Sequence, residues 1–348
     1  MDFLKKLLET PGVSGYENQV QQVVRDFATP IADDIKIDLH GNLIASINTD
    51  HAVRIMLAGH CDQIGLIISQ IDETGFLFTQ TVGGWDPQQL VGQRVTVWTD
   101  SKPVNGVISR KAIHLQDESE RKQLTKAKEL WIDIGVASMA DANELVRIGD
   151  PVTLKLGMTE LQDDLICGPA MDDRCGVWVV FEALRRATSL SLNCGLFSVS
   201  TVQEEIGLRG AKTAAYSVDP QIGIAVDVTH ATDCPGIDRR QQGEIFVGRG
   251  PVIFRGPNVN SIIGERMIEI CKTKGLDYQL AALGRAASND SNSLQISRGG
   301  VATGLIGIPN RYMHSAVETI SKKDIDIAAT LLAEFVGSVK SAEEFIPV

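Results

Sequence analysis

The stretch MDDRCGVWVVFEALRRATSLSLNCGLFSVSTVQEE, Met171–Glu205, decides the fold. Asp172–Ala187 reads as a helix, and Cys194–Val202 is an apolar run of the length of a buried strand. The same rhythm continues downstream. Gly210–Tyr216 reads as helix, Ile222–Val228 as strand, Asn260–Lys274 as helix, Ala302–Ile308 as strand and Lys322–Ser341 as a closing helix. Apolar strands alternating with helices predict the α/β class, with a mixed, mostly parallel sheet covered by helices on both faces.

Upstream, residues 1–65 read as a Leu-rich helix stopped by Pro11 and Gly12, a second helix at Glu17–Ala28, and the hairpin IKIDLHGNLIASI. The Gly and Asn of Leu39–Asn42 supply its turn. The strand RIMLAGH ends this segment. From residue 66 to 164 the texture changes to short β-type runs such as RVTVWT, NGVISRKAIHL and PVTLKL, separated by Gly, Pro, Asn and Asp, and only Ser138–Val146 reads as helical. That texture predicts a β-barrel-like module inserted into a discontinuous α/β domain of residues 1–65 and 165–348.

Composition sets the outer bounds. The 348 residues suit about two domains, and 43% hydrophobic with 22% charged residues is an ordinary globular balance. A formal charge of −11 argues against nucleic acid or an anionic membrane surface as partner. No apolar run approaches the ~18 residues of a spanning helix, and MDFLKKLLETPGVSGYE lacks the apolar core and cleavage site of a secretory signal. The cysteines, scattered from Cys61 to Cys271 without a CxxC, are expected to be reduced core residues of a cytoplasmic protein.

His60, Asp172, Glu205, Asp227 and His314 fall mostly where apolar strands end, in RIMLAGHCDQIG, CGPAMDDRCG, SVSTVQEEIG, IGIAVDVTHA and IPNRYMHSAVE. Open α/β sheets bind ligands at the carboxyl edge of their strands. Two imidazoles and three carboxylates, one of them shared, are what a pair of Zn-like ions needs if positions stay open for water and substrate. Each residue alone has an ordinary explanation. Asp172 suits a helix N-cap, Asp173 and Arg174 a surface ion pair, Asp227 a strand-end cap, and His60 a capped loop. Asp62 lies two residues past His60, on the same side of extended backbone, and can hold the second ring nitrogen. Glu204 and Glu205 are costly neighbours at a buried strand end unless exposed or neutralised: the ordinary explanation is a solvated pair at a helix entrance, and the functional one a cation beside one and a general-base role for the other. His40, His51, His114 and His230 have no comparable setting.

The chain resembles the metal-dependent aminopeptidases of the glutamyl and tetrahedral (TET) aminopeptidase family, some of which carry the label "cellulase M". The resemblance runs through LLETPGVSGYE, AGHCDQIG, GGWDPQQLVGQRV, DIG with RIGDPV, AMDDR, QEEIGLRGA, VDVTHA, GRGPV with GPNVN, and IPNRYMHS with VE. It implies a zinc-peptidase-like fold and two divalent ions per subunit, Zn or Co with Mn as a third candidate. His60, Asp172 and Asp227 would hold one ion and Asp172, Glu205 and His314 the other, with Asp172 bridging. Glu204 would be the base, Asp62 the carboxylate behind His60, and the Asp172–Asp173 bond cis. The insert would be a dimerisation domain, and dimers would build a dodecamer. Ala287-Ser288-Asn289-Asp290-Ser291 departs from the family's Gly-Thr-Asp-Ala run, so substrate preference transfers less readily than the metal site. The loop Pro235–Glu244, with Arg239 and Arg240, is likewise expected to be particular to this chain.

The expected activity is hydrolysis of the N-terminal residue from peptides with a free amino terminus. Water made acidic by two ions would give its proton to Glu204, which returns it to the leaving amine. A related two-metal deacylase, carboxypeptidase or dipeptidase is the nearest alternative. A glycosidase needs two carboxylates and no metal, and a non-catalytic scaffold would have no use for all these groups.

Overall fold

The computed structural model describes residues 1–347. An eight-stranded mixed sheet runs, edge to edge, Asp34–Ile37, Leu43–Ile47, Gly195–Thr201, Arg54–His60, Ile222–His230, Ala302–Asn310, Val252–Arg255 and Gln279–Ala282. The four strands from Gly195–Thr201 to Ala302–Asn310 are parallel, and the outer strands join antiparallel to this block. Alternate residues of the central strands enter opposite cores, which is why the strands read as continuous apolar runs. Ile55, Leu57, Ile224 and Val226 pack with the helices Met171–Ala187 and Lys322–Ser338, whereas Met56, Ala58 and Ala225 pack with the helix Arg209–Val218.

The strand order reverses at Arg54–His60. The next strand in this sheet, Gly195–Thr201, lies to one side of it and the one after, Ile222–His230, to the other. The helices preceding each, Met171–Ala187 and Arg209–Val218, pack on opposite faces. Such a reversal opens a crevice beyond the carboxyl ends of the strands. Helix Met171–Ala187 is drawn into that crevice by two glycines. A Cβ on Gly59 would sit 2.7 Å from the Gly176 carbonyl carbon, and one on Gly176 would sit 2.2 Å from Asp173 Oδ2. The helix backbone therefore lies directly on the end of the His60 strand.

Arg174 is fully buried, not paired at the surface with Asp173. Its guanidinium donates to the carbonyl oxygens of Leu7, Thr10 and Cys61 and to Gln63 Oε1, tying the N-terminal helix Asp2–Glu9 to the same crevice. An interior guanidinium needs this many acceptors, because an unpaired buried charge is expensive.

Six strands between Gly65 and Leu154 close into a barrel: Gly65–Ile71, Leu77–Val82, Trp131–Asp133, Val104–Ser109, Arg94–Val97 and Pro151–Leu154. Leu66, Ile68, Val95, Val97, Ile108, Ile132 and Val152 fill it. The helix expected at Ser138–Val146 is Met139–Asn143, and one-turn helices at Pro87–Leu90 and Glu118–Arg121 accompany it. A single turn is too short to leave a periodic signal, which is why these escape the sequence. After the barrel, Thr159–Glu160 and Leu165–Cys167 form a small sheet with Thr319–Ser321. The closing helix ends at Ser338, where Val339 turns extended. The strands Val252–Arg255 and Gln279–Ala282 carried no expectation from sequence. Among the described residues every cysteine is free, and no helix is long and apolar enough to cross a membrane.

Candidate metal centre

His60 closes its strand, and its imidazole is buried. Nδ1 lies 3.1 Å from the Asp62 carbonyl oxygen and 3.5 Å from Asp62 Oδ1. The Asp62 carboxylate also accepts from Ser14 Oγ at 2.6 Å, from Glu204 N at 2.9 Å and from Glu205 N at 3.2 Å. One carboxylate thus braces the imidazole and fixes the turn that carries the Glu pair. Glu17 adds to that brace by accepting from Gln203 N, at a residue with positive φ.

The remaining groups converge on His60 Nε2. Asp172 Oδ1 is 3.1 Å away, Glu204 Oε2 3.8 Å and Asp227 Oδ1 4.0 Å. Asp172 turns its other oxygen, Oδ2, to His314 Nε2 at 3.3 Å, and Glu205 Oε2 is also 3.3 Å from that nitrogen. The two oxygens of Asp172 therefore address two imidazoles. Donor atoms of His60, Asp172 and Glu205 lie within 4.8 Å of one another, and so do those of His60, Asp173 and Asp227. Asp173 already accepts from the His60 and Gly176 amides, so its oxygens hold backbone. The Asp172–Asp173 peptide bond is cis. Asp227 lies inside its strand rather than at the end, level with Gly307. The His60 strand pairs with it only as far as Ala58 opposite Ala225, and beyond that point the two strands part.

Three contributions were not legible as roles in the sequence. Glu318 is buried and clamps two of the predicted ligands through their backbones, accepting from His314 N at 2.7 Å and Asp172 N at 3.1 Å. In the sequence it stands only as the Glu of the VE pair quoted with IPNRYMHS, with no role assigned to it. Gly84, in a loop of the barrel, accepts from His314 Nδ1 at 2.7 Å and so directs Nε2 toward the carboxylates. Asp290, also buried, accepts from Thr201 Oγ1 at 2.6 Å. Asp233, just past the turn after Asp227, is tied up in a two-pronged ion pair with Arg311. Of the histidines set aside, His230 enters the wall of the cavity beside the cluster.

The electrostatics show strain of charge. Burial pushes the Glu204 carboxyl up to about 10, with the nearby Asp227 and Asp290 adding to the effect. Burial and the Asp172 charge raise Asp227 well above the usual carboxylate range and raise Glu205 as well. Asp172 moves the other way: burial opposes its charge, but hydrogen bonds from His314 and His60 hold its carboxyl low. Hydrogen bonds to Asp172 and Glu205 push His314 up to about 11. Burial disfavours a charged His60, yet Glu204, Asp172 and Asp62 outweigh it and raise its pKa. Glu205 Oε1 is buried without a hydrogen-bond partner. Crowded carboxylates with two aimed imidazole nitrogens and an orphaned oxygen fit divalent cations, which would favour the charged acids and satisfy that oxygen.

The M42 glutamyl aminopeptidase family model matches residues 41–331. Lysyl aminopeptidase of Pyrococcus furiosus is 35% identical over 345 residues, covering 96% of each chain. Among solved structures, the TET aminopeptidase of a marine-sediment Thaumarchaeota archaeon superimposes with TM-score 0.95 at 33% identity, over 99% of this chain and 98% of that one. The TET1 peptidase of Pyrococcus horikoshii, which can assemble into a tetrahedron or a large octahedral shell, matches with TM-score 0.86 at 30% identity, over 97% and 99%.

Proposed function

The chain belongs to the M42 glutamyl aminopeptidase family and is an aminopeptidase, and from that premise we propose that it works with two divalent ions, Zn or Co, and with Glu204 as general base. His60, Asp172 and Asp227 would hold one ion and Asp172, Glu205 and His314 the other. The observation that carries this reading is Asp172, whose two oxygens face His60 Nε2 and His314 Nε2 separately. Bound ions supply Lewis acidity, which polarises a carbonyl and lets water ionise near neutral pH.

The chain's own residues do the rest. Glu204 is not committed to an imidazole at hydrogen-bond distance, as Asp172 is. Its carboxyl sits beside the ligands with an affinity for protons that burial has raised. Positive charge placed next to it brings that affinity down toward neutrality. Glu204 then takes a proton from attacking water and delivers it to the leaving amine. Asp62 keeps His60 and the Glu204 amide in place throughout.

The experiment that tests this reading strips the protein of metal, reloads it with Zn, Co or Mn, and assays amino-acid p-nitroanilides while counting bound ions. Two ions per chain and metal-dependent cleavage are expected. Turnover that survives the chelator, or a single ion at full activity, overturns it.

We also propose a homo-oligomer, a dodecamer built from dimers, with the barrel as contact surface. In support, the barrel segment leaves Ile113, Leu115, Leu124 and Ile148 between 57% and 78% exposed, apolar side chains that a partner subunit could cover. The free cysteines fit a cytoplasmic setting.

A further inference from the structure

A cavity of about 490 Å³ opens beside the cluster. One wall is Asp172, Glu204, Glu205, Asp227 and His314; the other is apolar, made by Phe254, Leu283, Ala287, Leu305 and Met313. Phe254, Ala287 and Leu305 are buried, and Leu283 and Met313 half-buried. The apolar wall begins immediately next to Asp227. Its register partner is Gly307, and a Cβ there would lie 2.7 Å from Phe254 Cε2, so the missing side chain is what lets the ring lie against the strand.

Among the described residues no lysine or arginine lines this cavity, and its carboxylates are those of the cluster itself. Val228, Thr229, His230, Ser288, Asn289 and Gly307 complete the lining. An acidic side chain entering it would face these carboxylates, and a basic one would find no acid outside the set that would hold the ions or act as base, so either leaves water with nothing uncommitted to offset the cost. An aliphatic side chain gains instead, by about fourfold in binding for each methylene buried.

We propose that this cavity receives the side chain of the substrate's N-terminal residue and selects a neutral, apolar one of the leucine or methionine class. The selection rests on the aminopeptidase reading above, because it places the residue next to the scissile bond within reach of Glu204. Leu283 and Ser288 are the specificity-determining positions, one on the apolar wall and one on the exposed rim.

The test uses the full chain loaded with Zn or Co and the p-nitroanilides of Leu, Met, Ala, Glu and Lys. For Leu and Met, kcat/KM exceeds that for Ala by roughly tenfold and that for Glu and Lys by roughly a hundredfold. Cleavage of any of the five upholds the aminopeptidase reading whatever the ranking, and Glu or Lys within about threefold of Leu overturns the selection alone. Cleavage of none brings down both. In Leu283→Glu the Lys-to-Leu ratio rises about tenfold or more, and in Leu283→Arg the Glu-to-Leu ratio does, with metal content unchanged. Ser288→Asp and Ser288→Arg carry the same comparison on an exposed residue if the Leu283 variants do not fold. Ratios unmoved in folded variants place the side chain elsewhere and overturn the proposal.

Discussion

The α/β sheet and the barrel are both built from apolar strands, yet they differ in what they enclose. The sheet strands Arg54–His60 and Gly195–Thr201 are covered on both faces, and at their carboxyl ends stand Asp62, Asp172, Asp173, Glu204, Asp227, Asp290 and Glu318, all buried. The barrel has an aliphatic interior, and the one buried acid within Gly65–Leu154 is Asp150, which accepts from the Arg147 amide. Its strand Val104–Ser109 alternates buried with exposed, and its loops leave Leu115 and Leu124 in solvent. The polar burden of this protein is thus concentrated along one sheet edge, where backbone from several elements is packed tightly enough to hold it. The barrel, free of that burden, has its outer surface available for contact. The two regions meet at the Gly84 carbonyl on His314.

The sharpest way to break this comparison is at Glu204. Glu204→Gln keeps size and burial and removes the proton acceptor, so kcat falls by roughly a thousandfold while bound metal, counted by mass spectrometry or dye displacement, stays the same. A variant retaining a tenth of the activity or more would take the base elsewhere.

Metal removal probes the same edge through pH. A carboxyl whose folded pKa stands above its unfolded value contributes stability below the unfolded value and loses it as pH rises through the folded one. Glu204, raised from 4.5 to about 10, lies on that side, and Asp227 and Glu205 are raised as well. His314, raised from 6.5 to about 11, acts in the same direction. Metal-stripped protein therefore becomes less stable between pH 4.5 and about 10, by on the order of a few kcal/mol. Metal-loaded protein shows a much flatter profile. Parallel melting curves across pH for the two forms check this, and coincident slopes would contradict it.

A smaller effect is expected at Glu318. Glu318→Gln replaces one of two acceptor oxygens by a donor, so one of the His314 and Asp172 amides loses its partner. Affinity for the more weakly held ion drops by about ten- to a hundredfold, read by calorimetric titration of stripped protein, with the tighter ion little changed. Equal weakening of both would make Glu318 a general packing residue. Smallest of all is the change in the barrel. Leu115→Glu together with Leu124→Glu, at side chains 72% and 78% exposed, alters chain stability by no more than about 0.5 kcal/mol each. It shifts the assembly toward smaller species in light scattering. An unchanged assembly would remove these side chains from the contact.

Much of the sheet was legible because both-face burial writes apolar runs of strand length, and strands such as Ile222–His230 and Ala302–Asn310 stand within two residues of their expected bounds. Val252–Arg255 and Gln279–Ala282 were not, because neither is flagged by a hairpin turn like the Gly and Asn that marked the equally short edge strand Asp34–Ile37. The ligand-type residues were legible as a set because imidazole and carboxylate recur after apolar runs. Their partners were hidden. Gly84 contributes only a carbonyl, Glu318 binds amides remote in sequence, and Arg174 reads as a surface cation until its acceptors are seen.

By itself the sequence determined the α/β class, the barrel-like insert, and which side chains have the chemistry to bind cations and move a proton, because periodicity and residue type are local properties. Only the tertiary structure decided that Asp172 faces two histidines, that Asp173 is spent on backbone, and that an apolar wall adjoins Asp227. Those relations depend on where the strands part and how closely Gly59 lets a helix approach, and no single stretch of chain carries that distance.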